Sequence, residues 1–112
     1  MHPEIKIWLK DIELSIKEIH EFFPAHGKYI DFKDDLKTRK AIERNIEIIG
    51  EAMRRIREVD PLVKISDSRK ISDTRNRIIH GYDTVSPDVI WLILTRYLPI
   101  LESEVKELLK KV

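Results

Sequence analysis

The residues whose types and spacing could do chemistry lie close together, between positions 75 and 82. Arg75, Asn76 and Arg77 fall within a segment of helical period, and His80 stands at its end, just before the helix-stopping Gly81. At about 100° per residue, Asn76 and His80 are one turn apart on one helix face, and Arg75 lies within about 140° of His80. Arginine binds phosphate through two parallel hydrogen bonds, and histidine transfers protons near neutral pH. This combination suits cleavage of a phosphodiester without a metal ion.

Two stretches of the chain together resemble one protein family. The first is Arg75-Asn76-x3-His80-Gly81-Tyr82, and the second, upstream of it, is residues 41–52, AIERNIEIIGEA. The chain is similar to the HEPN superfamily and, within it, to the HepT-type toxins, whose signature is Arg-x4-His-x-Tyr. Arg75, His80 and Tyr82 match that signature, and Asn76 follows the arginine as is usual in that group. Charged helices produce the arginine–histidine spacing by chance, whereas both stretches in this order are much more specific.

The resemblance implies a fold, an activity and a means of control. The implied fold is all-α, an antiparallel up-down bundle of four to five helices like other HEPN domains. The implied activity is that of a metal-independent RNA endonuclease, the toxin of a HepT/MntA toxin–antitoxin pair, acting on tRNA or mRNA. Arg75 and His80 would be catalytic, and Arg75, Asn76 and Arg77 would bind RNA phosphates. In HepT-like proteins the tyrosine matching Tyr82 accepts AMP from a MntA-like nucleotidyltransferase antitoxin, so Tyr82 is the implied modification site.

The same residues also have ordinary structural interpretations. His80 taken alone fits a cation at a helix C-terminus, where the helix dipole contributes about 0.3–1 kcal/mol. Asn76 can be a plain polar helix residue, and Tyr82 a loop aromatic that packs on the helix end. Arg75 has no acidic residue three or four positions away, which leaves it free for a phosphate or for a partner elsewhere. Gly50, upstream, is most simply a point of close approach between two helices.

Composition limits the classes of protein that the chain can form. A chain of 112 residues is expected to form a single domain over residues 1–112, able to bury roughly two-thirds of its unfolded surface. The absence of cysteine and of a signal-like start predicts a cytoplasmic protein. No cofactor or metal ion is expected, because His2, His20 and His26 lack carboxylate or thiolate neighbours at ligand spacing.

The charge of the chain predicts that any contact with RNA is local. Lys and Arg number 21 and Asp and Glu number 20, for a net charge of +1, which argues against coating nucleic acid through bulk charge. A basic patch is nevertheless present in residues 69–80, where Arg69, Lys70, Arg75 and Arg77 face a single acid, Asp73.

Hydrophobic periodicity predicts four long helices, over about residues 4–23, 36–59, 66 or 67 to 80, and 87–110, with a short turn at 29–34. Pro24 and Pro61 end the first two, and Ser86-Pro87 begins the last. Pro99 lies inside the last helix and should kink it or break it locally. Asn45, on the apolar side of the second helix, is interpreted as a hydrogen-bonded polar group in the core.

Residues 89–94, Val-Ile-Trp-Leu-Ile-Leu, are apolar around the whole circumference of their helix. A helix of a four-helix monomer usually keeps one wet face, so this segment predicts a subunit interface, most simply in a two-fold homodimer. HepT-like proteins are dimers whose motifs face a shared cleft. Cleavage of RNA by its own 2′-hydroxyl needs both a base and an acid, and a dimer supplies two copies of His80.

Two other functions are compatible with the same sequence. One is a non-catalytic HEPN module that binds a nucleotide or substrate as the helical partner of a nucleotidyltransferase. The other is a structural dimerisation domain in which the motif is fortuitous. RNA turnover that is lost when His80 alone is changed distinguishes the nuclease, whereas affinity without turnover indicates the binding module.

Overall fold

Every element is a helix in the part of the chain that the structure, a computed structural model, describes: residues 2–24, 27–65, 68–79 and 86–111, without the side chains of residues 68, 77 and 79. The elements are α1 (Pro3–Phe22), α2 (Tyr29–Asp34), α3 (Leu36–Val59), α4 (Ser68–Ile79), α5 (Pro87–Leu92), a π-helical turn (Ile93–Tyr97) and α6 (Leu98–Lys110). The long helix α3 packs against α1 and α4, α1 also packs against α6, and α2 contacts α3 and α5. The predicted all-α antiparallel bundle is confirmed. None of the helices in the described ranges is long and apolar enough to cross a membrane.

The two long helices begin and end where the sequence carries capping residues and prolines. The Asp35 carboxylate accepts a hydrogen bond from the Thr38 backbone N–H at 3.0 Å and caps the start of α3. At the other end, Asp60 is extended, as expected for a residue that precedes proline. Phe23, before Pro24, ends α1 in the same way. The predicted bounds of both helices agree with the structure to within one residue.

The core is built mainly from isoleucines on the facing sides of α1 and α3. Their spacing of three and four residues places them on one stripe of each helix, and nearly all are fully buried. Trp8 is only half-buried, and it packs on this core from the edge. The buried stripe residues are Ile5, Leu9, Ile12, Ile16 and Ile19 of α1, and Ile42, Ile46, Ile49, Met53 and Ile56 of α3.

Asn45 lies in this core and is only partly hydrogen-bonded. It is 4% exposed, and its Nδ2 donates to the carbonyl of Ala41 at 3.2 Å. Its Oδ1 is buried and has no hydrogen-bond partner among the described residues. The interpretation of Asn45 as a satisfied polar group therefore holds for its amide nitrogen and not for its oxygen.

The apolar segment of residues 89–94 is mostly covered by the chain itself. Ile90, Ile93 and Leu94 are 1%, 2% and 9% exposed, and of these six residues Leu92 is the most exposed, at 39%. The Trp91 ring packs against three aromatic rings, those of Phe23, Tyr29 and Phe32. The argument that this segment needs a second subunit is therefore wrong, because the core of one chain already covers most of it. The homodimer itself stays a prediction.

Pro99 interrupts the last helix through a π-helical turn. Proline lacks an N–H, and its ring crowds the carbonyl four residues earlier, which here belongs to Thr95. In the turn before it, the Leu98 N–H donates to the carbonyl of Ile93, five residues back. The Thr95 hydroxyl donates to the Trp91 carbonyl at 2.8 Å. The predicted local break is confirmed, and it takes the form of a widened turn.

Candidate functional site

Arg75 lies on the face of α4 that packs against α3. Its side chain is 21% exposed, and its Nη2 lies 2.6 Å from Oε2 of Glu51, which belongs to α3. The neighbouring buried residues of α4 are Ile71 and Thr74, at 0% and 5% exposure. They hold α4 on the bundle, and Arg75 follows them along the same side of the helix. The arginine is therefore fixed at the seam between two helices instead of extending into solvent.

Gly50 makes this position of Arg75 possible. A Cβ atom built on Gly50 would lie 2.7 Å from Cβ of Arg75 and 3.1 Å from its Cγ. Real Cβ atoms do not approach other carbons so closely, so any other residue at position 50 would push α4 or the arginine stem away. The expected close approach at Gly50 is confirmed, and the partner that approaches is the predicted site residue itself.

Glu51 is the centre of a small charge network. Besides Arg75 it binds Arg54, whose Nη2 lies 2.6 Å from Oε1, and Arg55, whose Nε lies 3.0 Å from the same oxygen. Hydrogen bonds from Arg54 and Arg55, together with the charge of Arg75, lower the pKa of Glu51 from 4.5 to about 2. Glu51 is therefore ionised at neutral pH, and it is a permanent counter-charge beside Arg75.

The guanidinium of Arg75 still has hydrogen-bonding capacity. Its Nη1 donates to Oδ1 of Asn76 at 3.0 Å, and its Nε is buried with no hydrogen-bond partner within the described ranges. An unpaired buried donor costs about 1–3 kcal/mol and is uncommon in folded proteins. Asn76 is exposed, and it engages the arginine through its amide oxygen. Asn76, for which the resemblance implies a contact with an RNA phosphate, thus contacts Arg75 through its amide oxygen.

The structure describes part of the predicted site. It places Arg75 and Asn76 side by side on α4. The helix is described as far as Ile79, one residue before His80. The predicted roles of His80, Gly81 and Tyr82 lie outside the described residues, as does the predicted phosphate contact of the Arg77 side chain.

Sequence reasoning missed Glu51 as the partner of Arg75. No acid stands one turn away from Arg75 on α4, so the sequence does not decide between a phosphate and a distant partner. The missing information is the packing of α4 on α3, which no spacing within one helix supplies. The available signal was the position of Glu51 beside Gly50, in one of the two stretches that resemble the family.

Arg75 and Glu51 border a groove of about 260 Å³ between α1, α3 and α4. Ile48 and Ala52 give it apolar surface, whereas the remaining lining is charged or aromatic. The groove is lined by Trp8 and Asp11 of α1, by Arg44, Glu47, Ile48, Glu51, Ala52 and Arg55 of α3, and by Arg75 of α4. One edge of the predicted site therefore opens on a concave surface that a ligand could enter.

Comparison with known proteins places the chain in a family. The family model described as "Ribonuclease HepT-like" matches residues 12–108, which contain Gly50, Glu51 and the whole Arg-x4-His-x-Tyr signature. The chain belongs to the HepT-like ribonuclease family. The resemblance drawn from residues 41–52 and 75–82 is therefore confirmed.

Several named proteins are similar to this HepT-like chain over most of its length. One, "Probable ribonuclease HepT" of Thermococcus cleftensis, is 33% identical over 106 residues, which cover 94% of this chain and 96% of that protein. A "Putative RNase" of Caldanaerobacter subterraneus is 34% identical over 95 residues, covering 81% of this chain and 85% of the other. Another "Putative RNase", of Methanocaldococcus jannaschii, is 29% identical over 111 residues, which cover 97% of this chain and 90% of that protein. No solved structure matches the chain significantly.

Proposed function

We propose that this HepT-like protein is a metal-independent RNA endonuclease and the toxin of a toxin–antitoxin pair. The observation that carries the proposal is the fixed guanidinium of Arg75, the signature arginine of its family. It is held against Gly50 and Glu51 at the edge of an open groove. The proposed catalytic residues are Arg75 and His80, and the proposed RNA-binding residues are Arg75, Asn76 and Arg77.

Arg75 is proposed to bind the scissile phosphate without losing its contact with Glu51. A guanidinium carries five N–H donors, and the bonds to Glu51 and Asn76 use one donor on each terminal nitrogen. One donor on each of those nitrogens is left over for a phosphate, whereas the Nε donor is unpaired but buried. Glu51 is also bound by Arg54 and Arg55, so its negative charge is shared among three arginines when a phosphate approaches Arg75. Donors aimed at the charge that develops on phosphorus stabilise the transition state.

The chemical step is proposed to be transfer within the RNA. The 2′-oxygen attacks the adjacent phosphorus, the bond from phosphorus to the 5′-oxygen breaks, and the product carries a 2′,3′-cyclic phosphate. One histidine removes the 2′-hydroxyl proton, and another protonates the leaving 5′-oxygen. Because the signature supplies one histidine per chain, we assign the two roles to His80 of the two subunits of a homodimer. Cellular tRNA or mRNA is the proposed substrate.

Control is proposed to act through Tyr82, two residues beyond His80. A MntA-like nucleotidyltransferase antitoxin would transfer AMP to its phenol. Each AMP brings a phosphate anion and bulk to a site meant for an RNA phosphate, so repulsion and occlusion both suppress cleavage. This part of the proposal is supported by the match of Tyr82 to the family signature.

A cleavage assay on purified protein tests the proposed chemistry. His80→Ala should abolish cleavage and leave the thermal transition nearly unchanged. Arg75→Lys keeps the charge but loses the planar fork, and we expect it to lower kcat by roughly 10²–10³, as loss of a transition-state donor does. Wild-type cleavage should persist in EDTA and leave 2′,3′-cyclic phosphate ends. Wild-type rates in either variant, or activity that EDTA removes, would contradict the mechanism.

Co-expression with the nucleotidyltransferase tests the proposed control. The mass of the chain should rise by one or more AMP units located on Tyr82. Tyr82→Phe should remain an active nuclease and escape the modification. If the antitoxin silences Tyr82→Phe as fully as it silences the wild type, inhibition acts through protein contacts instead.

A further inference from the structure

The groove beside Arg75 has the composition of a binding site for a nucleobase. Trp8 and Asp11 are one turn apart on α1, so both reach the groove from the same helix face. Trp8 is partly buried against the core and also lines the groove. Single-stranded RNA is commonly held by aromatic rings on which its bases stack. The volume of about 260 Å³ is below the roughly 300–1,000 Å³ of sites that enclose drug-sized ligands. It therefore suits one base better than a whole nucleotide chain.

The charges along the groove separate a part for the RNA backbone from a part for a base. Glu47 is paired with Arg44 at 2.9 Å, and Glu51 is paired with Arg55 and Arg75. Among the described residues that line the groove, Asp11 is the acid for which no ion pair or hydrogen bond is formed. A phosphate is repelled by such a carboxylate, whereas a base edge that carries N–H donors is attracted to it.

A carboxylate at this position discriminates between the four bases. Guanine presents a ring N–H and an amino N–H side by side, and both can donate to the two oxygens of one carboxylate. Adenine and cytosine place an acceptor beside their amino group, and uracil places its N–H between two carbonyl oxygens. A matched bidentate pair discriminates against the wrong base. The free carboxylate of Asp11 therefore favours guanine.

We propose that this groove binds one base of the RNA next to the scissile phosphate, stacked on Trp8 and hydrogen-bonded to Asp11, with guanine preferred. The proposal rests on the proposed function, because Arg75 at the groove edge is taken to hold the neighbouring phosphate. Trp8 and Asp11 precede residue 12, where the family match begins. The base preference is therefore inferred from this chain's own residues and not from the family.

Binding of RNA that cannot be cleaved tests the site apart from catalysis. The probes are end-labelled 2′-O-methyl oligouridylates with one central guanosine, adenosine or cytidine, since methylation removes the attacking hydroxyl. Their Kd values are measured by fluorescence anisotropy. Wild type should bind the guanosine probe most tightly, by at least about fivefold. Trp8→Ala should weaken binding of every probe by about 5- to 150-fold, the range for loss of one stacked base.

Variants on the same helix separate the two contributions. Asp11→Asn should bring the guanosine probe close to the other probes, because an amide cannot accept two hydrogen bonds in parallel. Trp8→Phe should retain most of the affinity. Ile7→Ala is the matched control, because Ile7 precedes Trp8, is 59% exposed and does not line the groove. Its affinities should equal those of wild type.

Three results would overturn the inference: equal affinity of wild type for all probes, wild-type affinity in folded Trp8→Ala, or an unchanged guanosine preference in Asp11→Asn. Should Trp8→Ala fail to fold, Asp11→Asn, which changes only an exposed side chain, still tests the site through its guanosine preference. Guanosine-selective binding without any cleavage of ordinary RNA would refute the proposed nuclease and leave the base site standing. RNA cleavage at wild-type rates by Trp8→Ala and Asp11→Asn, without any guanosine preference in binding, would support the nuclease and refute the base site.

Discussion

Single residues at the seam of α3 and α4 determine where the proposed catalytic arginine lies. Gly50 has no side chain, and the stem of Arg75 occupies the space that a Cβ would need. Gly50→Ala should therefore lower the free energy of unfolding. Overpacking costs about 1–3 kcal/mol, more than the gain of up to about 1 kcal/mol from replacing a helical glycine. The rate of RNA cleavage by Gly50→Ala should fall by up to about 10²-fold, because small displacements of a catalytic group cost that much in rate.

Chemical denaturation and cleavage assays on Gly50→Ala check this expectation. Lys40→Ala, also on α3 but with a side chain that is 70% exposed, should leave both the unfolding free energy and the cleavage rate close to wild type. A Gly50→Ala protein as stable and as active as wild type would show that α3 and α4 have room to separate without cost.

Glu51 gives the protein a pH dependence of stability that can be assigned to one residue. Its pKa is about 2 in the folded chain against an ordinary 4.5, so the unfolded chain binds more protons between these values. The stabilisation is present above about pH 4.5 and is lost as the pH falls towards 2. Glu51→Gln should be less stable than wild type at pH 7, with a smaller loss of stability on acidification.

Urea denaturation at a series of pH values between 7 and 2 measures this effect. Glu47→Gln, which removes an acid bound to one arginine only, is the control and should keep most of the wild-type slope. Some slope should persist in Glu51→Gln as well, because the hydrogen bonds from Thr38 lower the pKa of Asp35. If Glu51→Gln reproduces the wild-type curve, the three arginines do not stabilise that carboxylate.

The sequence predicted Arg75 as a site residue but not its surroundings. The Arg-x4-His spacing belongs to one helix, so it can be read from neighbouring letters. The contact with Glu51 joins residues 24 positions apart, as the numbers 51 and 75 show, and it depends on how closely two helices approach. Gly50 was the one letter that pointed to such an approach. That the stem of Arg75 fills the space beside Gly50 follows only from the packing of α4 on α3.

At the level of elements, the α5 segment belongs to the core of its own chain. Ile90 is 1% exposed and Leu92 is 39% exposed, although they are only two residues apart. Ile90→Ala should cost about 2–5 kcal/mol, as truncation of a buried isoleucine does. Leu92→Ala should cost clearly less, because its side chain is already partly in solvent.

Thermal unfolding together with sedimentation of both variants checks this assignment. Truncation of a core residue should lower Tm and leave the association of the subunits unchanged, whereas truncation of an interface residue should also weaken their association. We expect Ile90→Ala to lower Tm and to keep the association state of the wild type. Weakened association in Ile90→Ala would instead assign the segment to a subunit interface.

Helix positions were largely predictable, whereas the environment of the last helix was not. Capping residues and prolines fixed the ends of α1 and α3, because these signals act within a few residues. Residues 89–94 are apolar around their whole helix, but the reason is that their own chain covers most of them, and not that a second subunit does. Edge-to-face packing of Trp91 with Phe23 and Tyr29 comes from distant parts of the chain, and hydrophobic periodicity cannot reveal it.

At the level of the whole molecule, the proposed mechanism requires two chains at one cleft. If each cleavage uses His80 of both subunits, a dimer with one His80→Ala chain is inactive. When wild type is mixed and re-equilibrated with excess His80→Ala, activity should fall with the square of the wild-type fraction. Activity that falls only in proportion to dilution would mean that one histidine per site is enough. Sedimentation of a well-behaved wild-type monomer would contradict the dimer directly.

The attachment of α4 has a consequence for how the molecule opens. This helix rests mainly on α3, and among its described side chains only Ile71 and Thr74 are buried. The stripes of α1 and α3 face each other and are buried along their whole length. Local unfolding follows the number of buried apolar contacts, so α4 should detach as a cooperative unit at a lower free energy than global unfolding. Amide hydrogen exchange should then be faster in α4 than in the middle of α3. The helix that carries Arg75 would then open more readily than the helix that carries Glu51.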